Sequence, residues 1–240
     1  YIKRVFHNIL GRRLLRKSII HTTSVKEKNE CLKRLGDFHG FILPNFIDLP
    51  VQSFRGSYLF SDNLVQLCTL SRVHPVKNFE FLFSCLSQLK FNWKLSIIGN
   101  GSEEYINELR GICSELKISD KIEWCGEMNG RNKLQFIAEK DIFLHLSKTE
   151  NFGNSIIEAA STGIPVIVSN TSGAAEFIEI LRAGWSVPLD QEIVLNQIKY
   201  VVDILRRSEF NPVEKEIIKY FDGESLSKEY LKFYKMFSLK

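Results

Sequence analysis

No stretch of this chain is long and apolar enough to read as a membrane span. The longest largely apolar runs, such as Phe79 to Leu86 and Ile164 to Val168, stop far short of the ~20 residues a bilayer demands. The five cysteines (Cys31, Cys68, Cys85, Cys113, Cys125) form an odd set without a C-x-x-C pair, which argues against a disulfide framework and fits a reducing cytoplasm. D-x-D is absent, so no aspartate pair stands ready to grip a divalent metal, and isolated histidines give no support for zinc. Charge of one sign is lacking: 32 Lys and Arg face 28 Asp and Glu, a net +4 that falls well short of a nucleic-acid-binding stripe. The order of a signal peptide is missing too. With Tyr1 at its start, the chain reads as a piece of a longer protein lacking something upstream. What remains is an ordinary globular composition over 240 residues, 44% hydrophobic and 12% aromatic, enough for one large domain or two small ones.

The first twenty residues carry Lys3, Arg4, Arg12, Arg13, Arg16 and Lys17 and no acid, interleaved with Val5, Phe6, Ile9, Leu10, Leu14 and Leu15. That is a basic amphipathic helix pattern. Its apolar stripe reads as packing on a missing domain, and its charges allow weak peripheral contact with the inner, anionic face of a membrane. A strand-like Ser18 to Thr23, a helical Lys26 to Leu35 and an apolar segment from Phe41 that turns at Pro44-Asn45 follow.

From Asn63 to about Arg207, short apolar runs alternate with longer periodic ones. The runs are Leu64 to Leu70, Lys94 to Ile98, Lys121 to Cys125, Asp141 to Leu146, Pro165 to Val168 and Gly184 to Val187. Between them lie helical candidates at Asn78 to Leu89, Glu103 to Leu116, Arg131 to Glu139, Ser155 to Thr162, Ala174 to Ile180 and Gln191 to Leu205. This alternation predicts an α/β fold, a Rossmann-like parallel sheet with helices on both faces. After Asn211 the chain turns polar, with a last helix from Leu226 to Phe237 that carries Tyr230, Phe233, Tyr234 and Phe237. The expected division is 1–50 as linker and remnant of a preceding domain, 51–210 as the Rossmann-like domain and 211–240 as a helical tail.

Open parallel sheets bind ligands beyond the carboxyl ends of their strands, so the loops there carry the chemistry. The first, Ser71 to Lys77, presents Arg72 and Lys77 beside a turn at Pro75. A guanidinium and an ammonium there suit a diphosphate, and equally two solvated surface charges. The second, Gly99-Asn100-Gly101, allows a sharp turn and a close approach of backbone to ligand. A dinucleotide fingerprint needs a third glycine where Glu104 stands, so nicotinamide and flavin are disfavoured. The third runs from Lys148 to Ala160. Asn154 or Ser155 is expected to cap a helix whose first-turn N–H groups face the strand ends, with Glu150 before it and Glu158 inside it. Two glutamates at this spacing are common; flanking Phe152-Gly153 and the downstream Gly163-Ile164-Pro165-Val166-Ile167 make the string specific. His74 and His145 read as structural rather than catalytic.

On these residues the chain resembles the retaining glycosyltransferases of the GT-B fold, family 4 type (glycosyl transferases group 1), in their C-terminal, donor-binding half. The likeness rests on the E-x7-E string from Glu150 to Glu158, on Arg72 with Lys77, and on Gly99-Asn100-Gly101. Ile122 to Gly126 and Leu43 to Asp48 support it, and it spans roughly Ser18 to Leu205. Two positions depart from the pattern. Phe46 stands where glycine is usual, and Ser172 to Glu176 replaces a Gly-Gly-acid run, which leaves Glu176 outside the expected site.

The resemblance implies a nucleoside diphosphate sugar as donor substrate, no cofactor, no metal and no nucleic acid. Arg72 and Lys77 would hold the diphosphate, and Glu150 would face the transferred sugar. Glu158 would accept from the ribose hydroxyls. The backbone of Asn151, Phe152, Gly153 and Asn154 would follow sugar and phosphates, with Gly99 and Gly101 nearby and the loop to Met128 against the base. The expected activity is sugar transfer with retention, in the cytoplasm, to a glycan or lipid-linked glycan in polysaccharide biosynthesis. Acceptor contacts would come from the missing N-terminal domain, so this part alone should bind donor and transfer poorly. A non-catalytic nucleotide-sugar-binding module is a competing expectation. A GT-B sugar-nucleotide epimerase is another, which the E-x7-E string disfavours.

Overall fold

The computed structural model describes residue 15 and residues 18–49, 60–61 and 63–238, with side chains through 236. Every basic residue of the segment from Lys3 to Lys17, and the Phe237 side chain, therefore lie outside the described residues. The chain divides into a smaller unit, drawn from residues 1–48 and 221–240, and a larger one, residues 49–220.

In the smaller unit, β1 (Ile20–Thr22) and β2 (Gly40–Ile42) pair in parallel around α1 (Val25–Leu35). Ser24 caps α1 by accepting from the Glu27 N–H, and Gly36 closes it with a positive φ.

The larger unit begins with β3 (Val65–Leu70), α2 (Phe79–Leu86), β4 (Trp93–Ile98), α3 (Glu103–Glu115), β5 (Ile122–Gly126) and α4 (Gly130–Ala138). It continues through β6 (Ile142–His145), α5 (Asn154–Ala160), β7 (Val166–Ser169), α6 (Ala175–Ile180), β8 (Gly184–Val187), α7 (Gln191–Arg206) and α8 (Glu214–Tyr220). Every strand of the expected alternation is present. The helix α8, in the stretch read only as polar, is an addition; its buried Ile217 supplies the apolar side that the surrounding charges obscure. The final helix α9 (Gly223–Ser238) belongs to the smaller unit, where Phe233 stacks on Phe41 at 4.5 Å and the Tyr230 hydroxyl donates to the Pro44 carbonyl.

The six strands form one wholly parallel sheet in the order β5-β4-β3-β6-β7-β8, with helices on both faces. Burial on both sides explains why β6 and β7 are buried at every position, as crossover helices leave a parallel strand no wet face. The amphipathic α7 shows the complementary pattern. Its Val194, Ile198, Val201, Val202 and Leu205 recur at helical spacing and join the core, while Asp190 caps its N-terminus. All five cysteines are free thiols, and burial pushes Cys85 up to about 12 and Cys113 to about 11, as small core hydrophobes rather than nucleophiles.

The sheet order reverses between β3 and β6, the position where doubly wound folds open a crevice. The pairing shows the opening directly. β3 follows β4 in register from Val65–Trp93 to Leu70–Ile98, but pairs with β6 only through Leu67–Ile142 and Cys68–Phe143.

Candidate functional site

On the β4 side, the loops stay joined after the strands end. Ser71 N–H donates to Ile98 O at 3.0 Å, Val73 N–H to Asn100 O at 2.8 Å, and Val73 bridges to Gly101. A Cβ on Gly99, whose φ is +133°, would stand 2.0 Å from the Ser71 carbonyl oxygen, and one on Gly101 would stand 2.2 Å from that of Val73. The close approach expected of these glycines is thus made to the chain's own backbone. They seat the loop that carries Arg72 and Lys77.

That loop is then turned into α2. His74 Nδ1 accepts from the Val76 N–H and caps a single 3-10 turn over Pro75–Lys77, with proline at a position needing no N–H donor. The turn ends at Asn78, in the left-handed region at φ 63°. Asn78 reaches across the crevice to donate to Leu146 O at 3.2 Å, and the Lys148 N–H donates back to Val76 O at 2.9 Å. These two bonds fix the β3 loop against the loop that follows β6.

The β6 loop is joined in turn to the loop after β7. Glu150 bridges to Ser172, its N–H donates to Thr171 O, its carbonyl accepts from Gly173, and Phe152 O accepts from Ala174 at 2.7 Å. The cap of α5 corrects the sequence expectation. Neither Asn154 nor Ser155 caps the helix: Gly153, at φ +98°, is the cap residue and Asn154 is already the first helical position. The positive φ turns the chain sharply enough to start the helix one residue early, with no side-chain cap bond. Phe152 is buried against Phe177, so only its backbone faces the loop surface, while Asn151 and Asn154 are exposed.

Lys77 Nζ and Glu150 Oε2 form an ion pair across the crevice. Beneath them lies His145, 2% exposed, with Nε2 3.5 Å from Glu150 Oε2 and 3.1 Å from Ser147 Oγ. The imidazole contact and the Lys77 ammonium outweigh partial burial and hold the Glu150 carboxyl down to about 2. Burial, reinforced by Lys77, pushes His145 below its ordinary value against the pull of Glu150. Burial dominates, and the imidazole is neutral beside an ionised carboxylate.

The predicted residues thus fall into three places. Lys77 and Glu150 meet across the crevice, and Arg72, exposed to solvent, lies on the same β3 loop as Lys77. Glu158 sits on α5 in a 2.8 Å ion pair with Lys133 of α4. Met128 lies on the loop after β5, half-buried, at the outer edge of the sheet rather than with the Lys77–Glu150 pair. Lys133 and His145 were not foreseen as neighbours of the glutamates. For His145 there was a signal, a polar residue closing the wholly apolar Ile142-Phe143-Leu144; for Lys133 nothing in the spacing marks it.

A doubly wound parallel sheet with a charged crevice at its reversal defines a Rossmann-like α/β protein. Residues 51–203 match the family model of the glycosyl transferases group 1, and the chain belongs to that family. It is 25% identical over 190 residues to the uncharacterized glycosyltransferase MJ1607 of Methanocaldococcus jannaschii, covering 77% of this chain and 48% of that protein. It is 36% identical over 106 residues to the lipopolysaccharide 1,6-galactosyltransferase of Escherichia coli, covering 43% of this chain and 29% of that one. The chain therefore spans about half the length of these relatives or less. Among solved structures, sucrose-phosphate synthase of Thermosynechococcus elongatus superimposes with a TM-score of 0.80 at 18% identity, over 96% of this chain and 61% of that one. Anabaena Alr3699/HepE in complex with UDP and glucose superimposes with a TM-score of 0.77 at 17% identity, over 95% and 66%. At such identities the likeness shows the fold alone, the Rossmann-like parallel α/β sheet of GT-B structures.

Proposed function

We propose that this chain is the donor-binding half of a retaining glycosyltransferase that moves a sugar from a nucleoside diphosphate to a glycan or lipid-linked acceptor. One observation carries the reading. At the crevice, a cation fit for a diphosphate and a carboxylate fit for sugar hydroxyls face each other, on loops locked together by Asn78 and Lys148. Phosphate and sugar are adjacent in a nucleotide sugar, and so are the groups that would take them.

In this reading Lys77 leaves Glu150 for the diphosphate when donor enters, and exposed Arg72 closes on the same phosphates with its planar fork. Together they offset the charge that grows on the leaving diphosphate as the anomeric bond breaks, the work a divalent metal does elsewhere. Glu150, ionised across the physiological range, accepts hydrogen bonds from the transferred sugar. Glu158 exchanges Lys133 for ribose hydroxyls, and the Met128 loop lies against the base. The attacking hydroxyl and its contacts come from the other half of the enzyme. Buried free thiols suit a reducing compartment, and we place the enzyme in the cytoplasm. Among the described residues no helix is long and apolar enough to cross a membrane.

Calorimetric titration with UDP, GDP and their sugar conjugates tests the reading. Saturable binding of one nucleotide and of its conjugate is expected, and absence of binding to every member of the panel overturns it.

A further inference from the structure

We propose that His145 is a positioning residue for Glu150, a neutral imidazole whose Nε2–H steadies the carboxylate when Lys77 turns to the donor's phosphates. The inference rests on the reading that Glu150 faces the donor sugar.

An ionised carboxylate can only accept, so a lone pair on Nε2 pointing at Glu150 Oε2 from 3.5 Å inside a buried pocket would be repulsive. In this proposal the proton sits on Nε2, 3.5 Å from Glu150 Oε2 and 3.1 Å from Ser147 Oγ, and the glutamate rather than the serine sets the tautomer. The ring has no room to leave. It ends β6 beyond the last recorded pair with β3 and lies nearly parallel to Phe143, with centroids 6.4 Å apart.

The bonds around it close a circuit back to Glu150. The Ser147 carbonyl accepts from the hydroxyls of Ser169 at 2.9 Å and Thr171 at 2.6 Å, and the Thr171 carbonyl accepts from the Glu150 N–H at 3.2 Å. Backbone and carboxylate of Glu150 are thus held from one buried network. Lys77 and His145 therefore differ in kind: a lysine stem can swing several ångströms to follow a phosphate, while a buried ring keeps its place.

Ring-nitrogen NMR of the full chain labelled with 15N-histidine tests the contact without any ligand. His145 is expected as a neutral Nε2–H tautomer whose ring proton shifts in Glu150→Gln, because an amide oxygen is a weaker acceptor. An Nδ1–H tautomer, or a resonance unmoved by that substitution, overturns the proposal.

Calorimetry tests the consequence. His145→Leu should weaken UDP-glucose about five-fold or more while leaving UDP within about two-fold, and His145→Gln, which retains an N–H donor, should recover most of the loss. Equal losses for both ligands in folded variants, or no recovery by glutamine, overturns the positioning role. GDP and GDP-mannose serve as the pair if the chain prefers guanine. If the unsubstituted chain binds none of the four, the donor reading falls, while the ring-nitrogen arm still decides whether His145 holds Glu150.

Discussion

The two flanks of the sheet and the seam between them are built differently. On each flank the backbone ladder runs past the strand ends, with Val73 bridged to Gly101 on one side and Glu150 to Ser172 on the other. At the seam the ladder stops early, and what spans the gap is Asn78, one backbone bond from Lys148, and the Lys77–Glu150 pair. Helices leave for opposite faces there, so no strand can bring its loop alongside the next. Rigidity comes from the flanks, and the chemistry sits where rigidity ends. Substitutions on a flank should therefore damage folding and binding together, while those at the seam should separate them.

The largest effect is expected from Gly99→Ala. The added methyl would meet the Ser71 carbonyl at 2.0 Å, on a backbone conformation that alanine disfavours. A loss of roughly 3 kcal/mol or more in denaturant melts should follow, with nucleotide binding falling alongside. A stable variant with intact binding would erase the distinction drawn for the flanks.

Next comes Lys77→Ala, at the seam. It should weaken nucleoside diphosphate binding by about 1 to 3 kcal/mol, the worth of a charge-assisted hydrogen bond, with a loss in melts of about 1 kcal/mol, well below that of Gly99→Ala. An unchanged dissociation constant would remove Lys77 from the site.

A smaller effect concerns acid. The Glu150 carboxyl is held at about 2, against an ordinary 4.5, so the unfolded chain takes up a proton that the folded chain refuses. Its stabilisation is complete above the unfolded value and disappears as pH falls through the folded one. In Glu150→Gln this acid limb should be shallower by on the order of 1 to 2 kcal/mol, read as the difference between the two chains below about pH 5. Buried His145, held below its ordinary 6.5, adds a loss of the same sign that begins at higher pH, so each chain must be followed from neutrality downward. Superimposable curves would mean that Lys77 and His145 do not hold the carboxylate.

The smallest expected effect is none. Excess EDTA should leave donor affinity unchanged if Lys77 and Arg72 hold the diphosphate as proposed. Loss of binding to chelator, restored by magnesium or manganese, would break the account of the seam.

Much of this was legible in the sequence because parallel strands buried on both faces announce themselves as apolar runs. All six sheet strands and the helices between them lie within a few residues of expectation. The positions of the E-x7-E string and of the Arg72–Lys77 loop, beyond the ends of β6 and β3, were legible with the strands; the roles expected of them came from the family resemblance. What resisted were contacts made across the fold. Gly99 and Gly101 read as a sharp turn and a close approach of backbone to ligand, and only the neighbouring loop shows that an added Cβ would meet the Ser71 and Val73 carbonyls. Gly153 displaced two better capping side chains because its backbone angle, invisible in sequence, decides where α5 begins. Lys133 came to Glu158 from another helix, and His145 came to Glu150 from beneath, through distances that no spacing encodes.

The smaller unit takes residues from both ends of the chain, joining β1 and β2 to α9 through Phe41, Phe233 and Tyr230. On a ribosome this fixes an order of completion. β1 and β2 emerge before the larger unit and meet α9 only after all of it is synthesised, on the order of ten seconds or more at ordinary elongation rates. The larger unit has its own core and is free to close during that interval, so the smaller one closes after it, and a ribosome that stalls before α9 leaves β1 and β2 without their aromatic cover.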